Sequence, residues 1–252
     1  MKYLFERFAV IRAGSQAKAP GPLLLALCCA TLAISGTPLG APTFENEQLR
    51  YSINWPSGLS LGEAEMESSR DKGAADVAPR LHLEFDVDAS VPGFAVTDRY
   101  HSEASADFCS VEFDRAAHHG PKKTDEKTTF DSSGTATRET TGGGKSEMKT
   151  SSCGKDALAF LYYLRRELSQ GRVPAPQTVY FGAPYEVRMA FAGTQTIKLG
   201  DKQVEADRIT ASIKGTASEI GFEVFFLKDA ARTPALVRVP LALGTFSMEL
   251  VR

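Results

Sequence analysis

Long apolar runs, basic excess and tryptophan are all scarce in this chain. The longest uncharged apolar stretch, Leu23 to Ile34, falls short of the roughly 20 residues a membrane-spanning helix needs. No later segment comes near that length, so no transmembrane span is expected in the mature chain. Lys and Arg number 29 against 31 Asp and Glu, which argues against a nucleic-acid-binding protein. A Gly-x-Ser-x-Gly nucleophile elbow is not expected, and no His-Glu-x-x-His motif is present. Gly142, Gly143, Gly144, Lys145 and Ser146 end like a phosphate-binding loop. Glu139 stands where the motif needs glycine, however, and no apolar strand precedes it or helix follows it.

What is present begins with an export signal. Lys2, Arg7, Arg12 and Lys18 precede the apolar run, and Ser35 and Gly36 close it with small residues, the order of a secretory signal peptide over residues 1–36. Cys28 and Cys29 raise the question of a lipid anchor, but Leu27 occupies the place before Cys28 where a small residue is wanted. Removing residues 1–36 takes four of the 29 basic and one of the 31 acidic residues, leaving 25 against 30. Residues 37–46 then read as a linker, and 47–252 as a single domain.

In the mature chain only Cys109 and Cys153 remain, and two cysteines in an oxidising compartment most simply pair with each other. The rival readings are two buried free thiols or a catalytic thiol. No Cys-x-x-Cys spacing marks a redox pair.

One helix stands out, at about 155–169. Ala157, Leu161, Leu164 and Leu168 recur in steps of four, three and four, and Leu158 and Phe160 widen the stripe. Asp156 in the first turn and Arg165 and Arg166 near the end complement the helix dipole, and Gly171 offers a left-handed stop before Pro174. Tyr162 and Tyr163 are expected to pack on a sheet with their hydroxyls at its rim.

Elsewhere the pattern is strand after strand. Leu81, Leu83, Phe85, Val87 and Ala89 alternate with His82, Glu84, Asp86, Asp88 and Ser90, implying a sheet with one wet face. Leu49 to Trp55 and Leu59 to Ser69 read as a hairpin. A parity slip in Lys202 to Ile213 suggests a bulge near Asp207 or Arg208. Gly221 to Lys228 is apolar on both parities and should be covered on both faces, on one of them by the helix. From Thr128 to Ser152, 12 of 25 residues are Ser or Thr, so segment 128–152 is expected to be flexible and to form an outlying edge. The whole is a mostly β fold: about a dozen antiparallel strands in a strongly curved sheet, open or closed into a barrel, with one packed helix.

The runs LRYSINWPSGLSLGEAEMES from Leu49, TTFDSSGTATRE around Phe130, DALAFLYYLRREL from Asp156 and PALVRVPLALGTFSMELV at the end resemble the bacterial exported family DUF3108, a domain of unknown function. The resemblance implies a protein of the cell envelope of Gram-negative-type bacteria. It also implies a curved antiparallel sheet, loosely similar in shape to periplasmic lipoprotein carriers, and it supplies no catalytic residue or cofactor. The resemblance accounts for neither the cysteine pair nor the Gly/Ser/Thr-rich segment.

The chain has four histidines, His82, His101, His118 and His119. His118 and His119 are expected in a solvated loop and His82 on a polar face, with no recognised metal-ligand spacing around them or His101. A concave side carrying Trp55, Phe85, Met189 or Phe191 would enclose either a filled core or a cavity for a lipid or other amphiphile. Three functions follow in order: a non-enzymatic periplasmic binding or carrier module for an apolar ligand or envelope component; an assembly protein engaging another envelope protein by a strand edge; or an envelope-polymer hydrolase using carboxylates such as Glu84 and Asp86.

Overall fold

The structure is a computed structural model that describes residues 44–71, 78–91, 94–216, 219–242 and 244–251. The segment expected to be a signal peptide, with Cys28 and Cys29, and the expected linker up to residue 43 lie outside the described residues. The first half of the chain forms β1 Glu47–Asn54, β2 Ser60–Arg70, β3 Leu81–Val91, β4 Phe94–Ala104, β5 Ser110–His119, β6 Lys122–Phe130, β7 Thr135–Thr140 and β8 Lys145–Lys149. A short β9, Lys155–Asp156, leads into α1, Ala157–Ser169. The second half forms β10 Gln177–Tyr180, β11 Pro184–Leu199, β12 Lys202–Lys214, β13 Glu219–Leu227, β14 Pro234–Leu241 and β15 Gly244–Leu250.

All fifteen strands belong to one sheet, ordered β8-β7-β6-β5-β4-β3-β2-β1-β15-β14-β13-β12-β11-β10-β9. Two antiparallel meanders thus join where β1 pairs with β15, Tyr51 opposite Leu250. Among the described residues one strand pair is parallel, β9 with β10, and it is bridged by α1, the usual use of a crossover helix. The edge strands β8 and β9 are consecutive in the chain, separated by residues 150–154, a connection that reaches at most about 20 Å. The sheet is therefore rolled until its edges approach, yet its ladder stays open. Across the seam the Ser110 amide donates to the Gly154 carbonyl at 2.9 Å, the Tyr180 hydroxyl donates to the Lys149 carbonyl at 2.7 Å, and Cys109 is disulfide-bonded to Cys153.

Alternation places the core as expected. Leu81 and Leu83 are buried, while Glu84 and Asp88 face water. In β13, Val224 and Phe226 pack with Leu164 and Leu168 of α1, whereas Phe225 and Leu227, of opposite parity, belong to a second cluster. The bulge lies one strand away from where the parity slip suggested: the extra residue sits in β11, between Phe191 opposite Ile209 and Thr194 opposite Asp207. The pairing of β12 with β13 runs unbroken from Ala206 to Lys214. Gly193, at φ +101°, supplies the backbone conformation that the bulge requires.

The helix starts at Ala157, two residues later than the expected start at about 155, because Lys155 and Asp156 pair with β10. Asp156 is the N-cap: its Oδ1 accepts from the amides of Leu158 at 2.8 Å and Ala159 at 3.0 Å, a cap worth about 1 kcal/mol. At the other end Gly171 adopts φ +73°. Its amide bonds to Leu168 and that of Arg172 to Glu167, closing the helix with the paired bonds of a Schellman motif. Of the two basic residues near this end, Arg166 lies in the last turn but Arg165 does not serve the dipole. It is wholly buried, as is Tyr162, whose hydroxyl donates to Glu47 at 3.3 Å instead of reaching the rim. Thr128 and Ala136 of the Ser/Thr-rich segment are also buried, while β8 is the exposed edge.

Candidate functional site

A fifteen-stranded roll is too wide to be filled by its own side chains, since the diameter grows with strand number and about eight strands already suffice to enclose a packed interior. The helix occupies part of that space. Between Leu158, Leu161 and Leu164 on α1 and the concave sheet remains a cavity of about 350 Å³, at the lower end of the range of small-molecule sites, about 300–1,000 Å³. The first meander contributes Tyr51, Met66, Phe85 and Tyr100, and the second Val187, Met189, Phe222, Val224 and Met248. These walls are apolar apart from the tyrosine hydroxyls. The Tyr51 hydroxyl donates to the Pro234 carbonyl at 3.0 Å, and the Tyr100 hydroxyl to Asp98 Oδ2 at 3.0 Å. Burial pushes the pKa of both tyrosines up, so both stay neutral donors.

Of the four residues singled out from sequence, the structure brings Phe85 and Met189 together on this cavity. Trp55 lies elsewhere, edge-to-face on Phe246 at 4.9 Å, where it borders a polar groove with Ser52 and Arg238. Phe191 shares the parity of Met189 but stands beside the β11 bulge, is 56% exposed and does not line the cavity. Tyr51, Met66, Phe222 and Met248 were missed. Each lies on an apolar parity that alternation shows, but alternation does not say which core positions border empty space.

Along the first meander the concave face changes chemistry. Met66, Phe85, Tyr100, Arg115 and Glu126 are successive partners across β2 to β6, and directly paired residues share a face. Glu126 accepts from Arg115 Nη1 at 3.2 Å and from Arg138 Nε at 2.8 Å, with its side chain only 1% exposed. The Arg115 guanidinium lies 4.7 Å from the ring centre of Phe181, which also lines the cavity. Gly182, at φ +69°, follows Phe181, and a Cβ there would lie 2.2 Å from Glu126 Oε1, so only glycine admits this approach. His119 Nε2 lies 2.9 Å from Asp98. His118 and His119 thus end β5 and pair with acids on opposite faces, rather than sitting in a loop.

On the opposite, convex face Glu84 and Asp86 stand two apart on β3 in an open polar groove with Arg99, His101, Asp114 and Lys127. Arg99 reaches Asp86 at 3.2 Å and Asp88 at 2.7 Å. Burial raises the Asp86 carboxyl despite Arg99. Two carboxylates on one open sheet face do not confront each other across a cleft, the arrangement glycoside hydrolysis requires. Contrary to expectation the spelling Gly-x-Ser-x-Gly does occur, as Gly58-Leu59-Ser60-Leu61-Gly62. Ser60 opens β2 after a turn from β1, so the strand-turn-helix setting of a nucleophile elbow is missing. Among the described residues no three His, Cys, Asp or Glu side chains group as a metal site, and no helix is long and apolar enough to cross a membrane.

A family model described as "Protein of unknown function (DUF3108)" matches residues 50–251. No curated protein matches the sequence. Among solved structures, the β-barrel-like protein of domain of unknown function DUF1849 from Brucella abortus superposes with a TM-score of 0.58 at 10% identity, covering 84% of this chain and 98% of that one. A putative exported protein with a YmcC-like fold from Bacteroides fragilis gives a TM-score of 0.36 at 7% identity, over 82% of this chain and 95% of that one. The Mycobacterium tuberculosis lipoprotein LppX gives 0.26 at 11% identity, over 81% and 85%.

Proposed function

This chain belongs to the DUF3108 family of proteins of unknown function, and from that premise we propose that it is an exported envelope protein that binds or carries an apolar ligand without chemically changing it. The observation that carries this reading is the cavity of about 350 Å³ between α1 and the concave sheet, walled by aliphatic and aromatic side chains. Its size suits one hydrocarbon chain or a small amphiphile. The sequence features of a signal peptide and the Cys109–Cys153 disulfide support delivery to an oxidising compartment such as the periplasm.

Partnering through a strand edge has less support. β8 is five residues long with Lys145, Glu147 and Lys149 along it, and β9 is two buried residues; short, charged or covered edges are how proteins prevent strand addition.

The test is native mass spectrometry of the mature protein purified gently from its own envelope, with organic extraction of what accompanies it. A stoichiometric amphiphile is the expected result. A clean apo mass, together with no uptake of decanoate or decan-1-ol on titration, overturns the reading.

A further inference from the structure

The row Met66, Phe85, Tyr100, Arg115, Glu126 passes from hydrocarbon to guanidinium in a single step between neighbouring strands. From that step we infer that the occupant is a single-chain amphiphile with an anionic head, its tail among Phe85, Leu161 and Met189 and its carboxylate or phosphate on Arg115. This rests on the proposed binding of an apolar chain in the cavity and adds the chemistry of the other end of the ligand.

Arg115 meets the cavity through two residues that line it. It is the direct partner of Tyr100 on the concave face, and its guanidinium stacks on Phe181 at 4.7 Å. Two guanidiniums, those of Arg115 and Arg138, share the one carboxylate of Glu126. The next acid on this face, Asp98, is engaged by the Tyr100 hydroxyl at 3.0 Å and by His119 at 2.9 Å. Arg115 Nε is buried and has no hydrogen-bond partner among the described residues. An unmet buried donor is unfavourable, and arginine's planar fork is suited to carboxylate and phosphate oxygens. An anionic head reaching past Tyr100 and Phe181 accepts from the terminal N–H groups of Arg115 and sets a charge opposite its guanidinium. A neutral head accepts without that charge and is held more weakly.

The inference is tested by titrating the mature protein with decanoate, decyl phosphate and decan-1-ol, followed by isothermal calorimetry and native mass spectrometry. At least one anion is expected to bind about tenfold or more tightly than the alcohol, the worth of one hydrogen bond to a charged group. A preference for decyl phosphate identifies a phosphate head, and a preference for decanoate a carboxylate head. Arg115→Gln is expected to remove the preference for the anions over decan-1-ol. Arg115→Lys, which keeps the charge without the fork, should retain part of it. Equal binding of all three by the unaltered protein overturns the head-group assignment while the apolar pocket stands. Failure of all three to bind overturns the carrier reading and this inference together. The comparison of ligands on the unaltered protein decides the matter even where an Arg115 variant does not fold.

Discussion

Arg165 and Glu47, 118 positions apart in sequence, meet with both terminal guanidinium nitrogens 2.6 Å from the two carboxylate oxygens. Arg165 Nε also donates to the Ala231 carbonyl at 3.0 Å, and the guanidinium lies 4.5 Å from the ring centre of Phe44 and 4.8 Å from that of Tyr162. Burial opposes the Arg165 charge, but the hydrogen bonds and attraction of Glu47 prevail and raise its pKa. The pair fastens α1 to β1, in the middle of the sheet where the two meanders join.

Removing one partner strands the other. Glu47→Ala is expected to cost about 3–5 kcal/mol, the price of an uncompensated buried charge, read as a lower urea midpoint with little change in m-value. The double variant Glu47→Leu with Arg165→Met should recover much of that loss. An unchanged midpoint for Glu47→Ala would show that the pair is open to water.

The Cys109–Cys153 bond, spanning a sequence separation of 44, closes the seam between β5 and the segment leading to β9. Chain entropy values such a loop at about 4 kcal/mol. Cys109→Ser or Cys153→Ser should lower the melting temperature of the oxidised protein by many degrees. Reduction of the unaltered protein should reproduce that shift, and thiol titration of the native oxidised protein should find none free in the mature chain.

Asp156 is wholly buried, and its Oδ2 accepts from Ser102 at 2.6 Å and Ser110 at 2.5 Å. Burial raises its pKa, partly offset by these hydroxyls and by the two capping amides. The folded state then holds the proton more tightly than the unfolded chain does, so this group's contribution to stability falls as pH rises from the ordinary carboxyl value towards the folded one. Asp156→Asn still caps the helix and does not titrate, so it should remove that component of the slope. Chemical denaturation of both proteins across the acid range measures the difference. Asp156→Ala should cost about 1 kcal/mol for the cap alone, and more with two serines left facing an apolar group.

Filling the cavity should separate binding from folding. Val187 is buried on the cavity wall, and Val187→Phe adds bulk into existing space. Stability should change by less than the roughly 1–3 kcal/mol of ordinary overpacking, while decanoate uptake falls sharply. Unimpaired uptake in calorimetry would place the ligand elsewhere.

The edge position of β8, with its exposed Lys145 and Glu147, should make its amides among the fastest to exchange with deuterium in the sheet, while those of β13, with Val224 to Leu227 buried, should be among the slowest. Equal protection of the two strands would argue against a flexible segment at 128–152.

Much of this was legible in the residues. The period-two run at Leu81, Leu83 and Phe85, the helical spacing of Leu161, Leu164 and Leu168, Gly171 at the helix end and the double-faced run from Phe222 to Leu227 each carry their structure locally, because side-chain direction follows backbone period. The bulge was legible only as a parity slip in β12. Its extra residue lies on the partner strand, and pairing decides which strand absorbs a mismatch. Arg165 looked like a dipole-complementing cation, since nothing within a turn of it announces Glu47.

The sequence by itself determined a mostly β domain with one amphipathic helix and pointed to Cys109 and Cys153 as a pair, because hydrophobic period, turn residues and cysteines are local or countable. Only the tertiary structure decided that Phe85 and Met189 face a cavity while Trp55 and Phe191 do not, and that Arg115 packs on Phe181, which lines it. Alternation assigns a residue to a face of the sheet, but the curvature of fifteen strands and the seat of the helix determine how much of that face is filled.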